Sequence, residues 1–225
     1  HRKYSDQTMK CFMKCAKKYD FLYNNDFLYK SEAKVINDIT KVFSKIFKLP
    51  IRKSKFNFFI KLIFNSYCYE LSYHNYTHSI DVFYTVVDIM LKTQLFTNLS
   101  KNELFILLIT TLTHDIKHTG FLNSDILNAM EIEESNNFVE DTNLCIRSNS
   151  SFNEVIHIIT TQSLLSTQIN NIYKNKFDEE YINTFVNNMI LSTDLNLHSD
   201  YILVYEDINA SNILKNKMTI LILIL

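Results

Sequence analysis

The sequence predicts an all-α fold, and two features of its composition and pattern support that prediction. The chain of 225 residues contains a single glycine and a single proline, far below the usual several per cent of each. Because β-hairpins use these residues in their turns, a hairpin-rich β fold is disfavoured. Apolar residues also recur at helical spacing along almost the whole chain. No linker, low-complexity tract or internal repeat divides the sequence, so one domain is expected.

The helical spacing of apolar residues separates the chain into a series of candidate helices. They span roughly residues 31–46, 53–69, 75–94, 101–114, 122–132, 152–170, 178–193 and 198–225. Ser100 followed by Glu103 is a capping-box pattern that marks the start of the fourth candidate. Asp178, Glu179 and Glu180 place acidic groups in the first turn of a later candidate, where the helix dipole favours them.

Three segments carry more specific expectations about packing. The stretch 103–113 is apolar on nearly all sides, so this helix should lie deep in the core and deliver the next residues from its C-terminal end. The stretch 133–151 is polar and aperiodic, and it is predicted to be a loop. The stretch 218–225 is apolar but too short to span a bilayer, and it is interpreted as part of a buried helix.

Charge and cysteine content exclude some partner classes. With 23 basic and 24 acidic side chains, the net charge is −1, so no overall attraction to nucleic acid or anionic lipid is expected. Residues 45–61 are locally basic but interleaved with apolar residues, which is typical of a solvated helix face. Cys11 and Cys15 are one turn apart and not in a C-x-x-C spacing. With Cys68 and Cys145 they are interpreted as reduced thiols of an intracellular protein.

A first histidine cluster lies at residues 73–82 and has the pattern Y-H-N-x-x-H-x-x-D-V. His74 and His78 are four residues apart, so on a helix they share one face. Asp81 follows three residues after His78. A single histidine pair on a helix is more often structural or exposed than a ligand pair, so this cluster alone does not establish a metal site.

A second cluster at residues 114–123 has the pattern HD-x-x-H-x-x-x-x-N. His114 and Asp115 follow the most apolar candidate helix, and His118 lies one turn further on. A carboxylate in so apolar a setting carries a large desolvation penalty unless it is paired or binds a metal. Because four of the seven histidines fall in these two clusters, a shared metal site of the hydrolytic type is predicted.

Together the two patterns resemble class I cyclic nucleotide phosphodiesterases, an all-helical branch of the HD hydrolase superfamily. Residues 191–195 with His198 are similar to the A-T-D-M segment and following histidine of that family, and residues 150–157 are weakly similar to its S-V-L-E-x-H-H stretch. The resemblance extends from about residue 20 to Leu225. It implies that 1–225 is a single partial catalytic domain, a compact multi-helix bundle with the metal site at a helix junction.

The resemblance also implies roles for individual residues. His78, His114 and Asp115 would be metal ligands, and Asp115 would bridge two divalent metals, with Zn²⁺ in the tighter site and Mg²⁺ or Mn²⁺ in the looser one. His74 would be the general acid. Residues holding water around the metals would be His118, Glu154, His157 and Thr193. Tyr73 and Leu195 would line the substrate pocket, while Asn75 and Asn123 would brace the helices.

The implied activity is metal-dependent hydrolysis of 3′,5′-cyclic nucleotides, cyclic AMP or cyclic GMP, to 5′-monophosphates in intracellular signalling, with the catalytic domain facing the cytosol. Two metals lower the pKa of a shared water towards about 7 and neutralise the phosphate oxygens. A positioned histidine that protonates the leaving oxygen contributes roughly 10²–10⁴-fold in rate. The substrate is the partner expected, with neither nucleic acid nor a membrane span within this chain.

The sequence departs from the family pattern in three places. Ile156 stands where the first of two adjacent histidines is expected, and the loop 133–151 is longer than usual. The remaining Asp ligand, in an A-D-I-S or A-D-L-S segment, and the glutamine that grips the purine are expected beyond Leu225. Asp194, Asp200 and Asp207 do not match that segment. The 225-residue chain is therefore expected to have little hydrolase activity and poor stability.

Two alternative functions remain open at this point. The chain could be another HD-superfamily phosphohydrolase, although generic HD domains lack the Y-H-N-x-x-H pattern. It could also be a truncated or degenerate, catalytically inactive phosphodiesterase-like module that serves in binding or regulation. Metal content would separate the enzymes from the inactive module, and hydrolysis of cyclic nucleotides would separate the two enzymes.

Overall fold

The computed structural model describes residues 31–126, 128 and 151–197, and these residues form an all-α bundle. Its helices are α1 (Glu32–Lys41), α2 (Lys53–Asn65), α3 (Tyr76–Thr93), α4 (Lys101–Thr113), α5 (Phe152–Ile172) and α6 (Glu179–Leu191). A π-helical turn, Val42–Ile46, extends α1, and short 3-10 turns occupy Leu95–Asn98 and Leu195–Leu197. Within the described ranges the only β-type pairing is an isolated bridge between Ile51 and Tyr173. The all-α prediction is confirmed.

Helix boundaries agree with the sequence pattern to within a few residues for most elements. The largest difference is α2, which was predicted to reach residue 69 and ends at Asn65. Tyr67 leaves the helix because its ring is buried and its hydroxyl donates a hydrogen bond to the carbonyl of Leu112. The candidate at 122–132 is helical at 123–126 and 128, and its remainder lies outside the described residues. So do the candidate at 198–225 and the predicted loop, apart from Ser151.

Helix α4 is the central element of the bundle, as its uniformly apolar sequence predicts. Every residue from Leu104 to Thr113 is buried, and α4 contacts α3, α5 and α6. The capping box is present, since the Ser100 hydroxyl accepts from the Glu103 backbone N–H and the Glu103 carboxylate accepts from the Ser100 N–H. A helix that is buried from Leu104 onwards thus ends at Thr113 and gives the following residues a fixed position.

An aromatic cluster joins α4 to the first three helices. The ring of Phe43 lies 4.6 Å from that of Phe56, 6.0 Å from that of Phe83 and 5.8 Å from that of Phe105, measured between centroids. These four residues come from the π-helical turn, α2, α3 and α4. Large rings in offset and edge-on contact bury much apolar surface, so they help to hold the first three helices against α4.

The C-terminal end of α5 is held by Arg52, whose guanidinium donates to the carbonyls of Asn170 and Tyr173 at 2.7 Å each. The last carbonyls of a helix have no intrahelical donor, and a cation there is also favoured by the helix dipole. We expect Arg52→Ala to lower the free energy of unfolding by about 1–2 kcal/mol. Denaturant unfolding measures this change. The adjacent exposed residue gives a matched control, Lys53→Ala, and an equal effect of the two would contradict the capping role.

None of the helices in the described part of the chain combines the length and the apolar character needed to cross a membrane.

Candidate metal centre

The two histidine clusters meet because α3 begins beside the point where α4 ends. The side chain of Asn75 caps α3, accepting hydrogen bonds from the backbone N–H groups of Thr77 and His78. Its amide also donates to the carbonyl of Leu71 at 2.8 Å. This double contact orients the first turn of α3, which carries His78. The bracing role predicted for Asn75 thus has a specific form, an N-cap that satisfies otherwise unpaired helix N–H groups.

His78, His114 and Asp115 form a compact group in which one ligand atom from each lies within 4.8 Å of the others. Nε2 of His78 is 3.5 Å and Nε2 of His114 is 3.4 Å from Oδ2 of Asp115. Nδ1 of His114 lies 3.0 Å from the Thr111 carbonyl. Since a carbonyl only accepts, Nδ1 carries the proton and the Nε2 lone pair faces the group, as in a metal-ligating histidine.

A further histidine, His157 on α5, completes the surroundings of Asp115. It is 1% exposed, and its Nδ1 lies 2.6 Å from the Ile116 carbonyl. The proton therefore resides on Nδ1, and the Nε2 lone pair faces Oδ1 of Asp115 at 3.9 Å. Among the described residues, Nε2 has no hydrogen-bond partner. Two buried acceptors that face each other at this distance are unfavourable unless a cation or a proton lies between them.

The pKa values of the group favour ligation. Burial opposes ionisation of Asp115, which is 8% exposed, but His114 and the hydrogen bond from His74 outweigh it and hold the carboxyl pKa below its usual value. Burial lowers the pKa of His157 to about 4 and also lowers the pKa of His78. A neutral His78 and a neutral His157 beside an ionised Asp115 are in the protonation states that bind a divalent metal. The residues present therefore fit such an ion.

His74 occupies the open side of the group. Its Nδ1 lies 2.9 Å from Oδ2 of Asp115, and this hydrogen bond raises the pKa of His74. Its ring stacks on that of His118, with centroids 3.8 Å apart and planes 2° from parallel. The imidazole is thus held in one orientation while remaining partly open to solvent. A histidine in this position can exchange a proton with a bound molecule.

The other predicted site residues differ in their surroundings. Glu154 lies in the first turn of α5, and Asn123 donates to its carboxylate at 2.8 Å; burial raises its pKa. Tyr73 is 60% exposed with its ring 4.4 Å from that of His78. The hydroxyl of Thr193 donates to the Ile190 carbonyl at 2.7 Å, and Leu195 is 85% exposed. The described contacts do not link Thr193 or Leu195 to the histidine group.

Two polar residues that join these elements were not assigned roles from the sequence. Asp194 is 3% exposed, and its carboxylate accepts hydrogen bonds from the Ser151 hydroxyl and the Asn196 backbone N–H. It therefore ties the end of α6 to the start of α5. Asn153, also 3% exposed, connects α5 to the loop after His118. Its position one helical turn before His157 is a sequence signal that could have indicated Asn153.

Gly120 permits the tight path of the loop that follows His118. Its φ is +85°, and a Cβ at this position would lie 2.7 Å from Cδ2 of Leu71. We expect Gly120→Ala to lower the free energy of unfolding by about 1–2 kcal/mol, because left-handed backbone disfavours a side chain. Chemical denaturation gives the comparison, with the exposed Ser124→Ala as matched control. A variant as stable as the control would show that the loop adapts without strain.

Comparison with known proteins gives consistent results. The sequence model of the family described as 3′5′-cyclic nucleotide phosphodiesterase matches residues 73–223. The chain is 30% identical over 160 residues to the 3′,5′-cyclic-nucleotide phosphodiesterase regA of Dictyostelium discoideum, covering 70% of this chain and 18% of the relative. It is 31% identical over 169 residues to 3′,5′-cyclic-nucleotide phosphodiesterase 2 of Saccharomyces cerevisiae, covering 72% of this chain and 28% of the relative. The chain thus spans less than a third of either relative.

Solved structures share the fold. The phosphodiesterase domain of Salpingoeca rosetta rhodopsin phosphodiesterase superimposes with a TM-score of 0.71 at 21% identity, covering 90% of this chain and 62% of that one. The structure of LmjPDEB1 in complex with IBMX gives a TM-score of 0.68 at 20% identity, covering 99% of this chain and 70% of that one. At 21% and 20% sequence identity, the similarity to these two structures shows a shared fold.

Proposed function

Because the chain belongs to the 3′,5′-cyclic nucleotide phosphodiesterase family, we propose that it carries out metal-dependent hydrolysis of cyclic AMP, cyclic GMP or both to the 5′-monophosphates. The observation that carries this proposal is the convergence of His78, His114 and Asp115 on one point, with His74 at its open side. The family implies a divalent metal, and the donor set of this group suits one. An intracellular location accompanies the proposal, since cyclic nucleotides act as signals there.

The ligand arrangement supports a centre for two metals. Oδ2 of Asp115 faces His78 and His114, whereas Oδ1 faces Nε2 of His157. One carboxylate thus presents its two oxygens to two different sides, as a bridging ligand does. When bound, Zn²⁺ in the tighter site and Mg²⁺ or Mn²⁺ in the looser one would neutralise the phosphate oxygens and lower the pKa of an attacking water towards about 7.

His74 is the proposed general acid. Opening the cyclic phosphodiester produces a ribose alkoxide, which leaves poorly unless it receives a proton. The hydrogen bond from Nδ1 to Asp115 and the stacked ring of His118 fix the orientation of the His74 imidazole. A fixed donor beside the phosphate delivers the proton without the entropy loss of first positioning it. The proton then resides on the ribose oxygen of the 5′-monophosphate product.

The remaining predicted residues surround this reaction. His118, Glu154 and His157 present polar atoms around Asp115 and are proposed, with Thr193, to hold water around the metals. The Tyr73 ring lies against both His74 and His78, with centroids 5.0 Å and 4.4 Å away. It is proposed to form one wall of the substrate pocket, with Leu195 as a second apolar contact. Such walls exclude water, and its exclusion strengthens the electrostatic interactions inside the pocket.

The test is a hydrolysis assay with Zn²⁺ and Mg²⁺ added, in which cyclic AMP and cyclic GMP are supplied separately and the 5′-monophosphates are quantified. Both this chain and a version extended beyond Leu225 along its gene are assayed, because the family resemblance predicts a further Asp ligand there. Turnover of either substrate by the extended version supports the proposal. Metal binding without hydrolysis in both versions would contradict it and favour the inactive binding module.

A further inference from the structure

Asn153 is the centre of a buried hydrogen-bond network at the start of α5. Its side-chain oxygen accepts from the backbone N–H and the hydroxyl of Thr119, at 3.3 Å and 2.9 Å. Its amide nitrogen donates to the carbonyl of Phe121 at 2.9 Å and to Oδ1 of Asn123 at 3.0 Å. Asn153 is 3% exposed, and every hydrogen-bonding position of its side-chain amide is directed at the segment 119–123, which directly follows His118.

The same network replaces the ordinary cap of α5. Ser151 occupies the N-cap position but makes no capping contact, because its hydroxyl donates to Asp194. Oδ1 of Asn123 instead accepts from the backbone N–H of Asn153 at 2.9 Å. The first turn of α5 is thus capped by a side chain from another part of the fold, which ties the helix to the loop.

The network ends on the Glu154 carboxylate. The Asn123 oxygen is fixed by the two donors of Asn153, so its amide nitrogen points the other way and donates to Oε2 of Glu154 at 2.8 Å. A side-chain amide accepts through its oxygen and donates through its nitrogen. Only one orientation of the Asn123 amide therefore satisfies these contacts. The orientation of the Glu154 carboxylate therefore depends on which atoms Asn153 presents to Asn123.

We propose that Asn153 is a positioning residue of the metal centre, which acts through Asn123 to hold the Glu154 carboxylate and keeps the loop after His118 docked on α5. This inference rests on the proposed metal-dependent function and adds to it a residue outside the histidine motifs. Residues that hydrogen-bond to the metal ligands orient those ligands. Their loss typically reduces metal affinity or activity by about 10–100-fold.

The informative variant is Asn153→Asp, which keeps the size and the acceptor for Thr119 but replaces the donating nitrogen with an oxygen. That oxygen would face the Phe121 carbonyl and Oδ1 of Asn123. The Asn123 amide is then expected to flip, turning its own oxygen towards the Glu154 carboxylate and displacing it. The probe is Mn²⁺ titrated into the version extended beyond Leu225 and followed by electron paramagnetic resonance, since Mn²⁺ prefers carboxylate oxygen over thiols.

We expect Asn153→Asp to weaken Mn²⁺ binding about tenfold or more. The matched control is Asn171→Asp, the same change at an exposed position of α5, which should leave Mn²⁺ affinity unchanged. The distinguishing measurement repeats Asn153→Asp in a Glu154→Gln background, where the further loss should fall below about twofold because the two residues act as a unit. An equal loss in both backgrounds would indicate a merely structural role and overturn the proposal.

A second variant covers the case in which Asn153→Asp does not fold. Thr119→Val keeps the side-chain shape and removes a hydroxyl that donates to Asn153 and accepts from the backbone N–H of Phe121. A smaller loss of Mn²⁺ affinity is expected, again absent in the Glu154→Gln background. Unchanged affinity in Thr119→Val and Asn153→Asp overturns the proposal. No Mn²⁺ binding by the unaltered extended version contradicts both this inference and the proposed function, whereas its binding of Mn²⁺ without cyclic nucleotide hydrolysis contradicts the function alone.

Discussion

Replacing Asp115 with alanine is expected to abolish hydrolysis of cyclic nucleotides and binding of the second metal. Oδ2 of this carboxylate lies within 3.5 Å of Nε2 in both His78 and His114, and its other oxygen faces His157. Without the carboxylate, the cluster loses its negative charge and the bridge between the two proposed metal positions. Replacing a residue that only supports a metal ligand typically lowers metal affinity by up to about 100-fold, so the loss of the proposed ligand Asp115 should lower it by more.

The measurement combines metal analysis of the purified protein with the hydrolysis assay, in the version extended beyond Leu225. Asp88→Ala is a matched control, because Asp88 lies on α3 and pairs with Lys92 at 2.7 Å. An ion pair whose lysine is exposed contributes little to stability. We expect the control to retain metal and activity. Full metal occupancy in Asp115→Ala would refute the bridging role.

Replacing His74 with alanine is expected to reduce turnover by about 10²–10⁴-fold while the metal content stays close to that of the unaltered protein. His74 contacts Asp115 but is not one of the three residues whose ligand atoms converge. Its loss removes the proton donor to the leaving oxygen and leaves the proposed ligands in place. It should therefore lower kcat more than it raises KM.

The comparison variant is His78→Ala, which removes a proposed ligand four residues further along the same segment. It should lose both metal and activity, so the two variants differ in metal content and not only in rate. If His74→Ala and His78→Ala lose metal equally, His74 is a ligand and the general acid must be another residue. The extended version is used again, with metal content measured on the same samples as kcat.

Much of this fold follows from patterns that act over a few residues. The apolar spacing predicts α1, α3, α4, α5 and α6 with ends displaced by only a few residues. The burial of α4 follows from a sequence that is apolar on every face. The two histidine patterns are also local, because a spacing of four residues places side chains on one helix face wherever the helix lies. The prediction that both patterns share one site followed from the carboxylate at the end of a buried helix.

The tertiary structure alone decided how the parts of the site support each other. Three features join residues about forty positions apart in the chain: the ring of His74 stacks on His118, His74 donates a hydrogen bond to Asp115, and Nε2 of His157 faces Asp115. Asn153 and Asp194 acquire their roles only because the loop after His118 and the end of α6 meet the start of α5. Helix formation and burial depend on neighbours in sequence, which a pattern records. A hydrogen bond between distant residues instead requires atoms to meet at about 3 Å with the right angle, and this depends on packing of the whole chain.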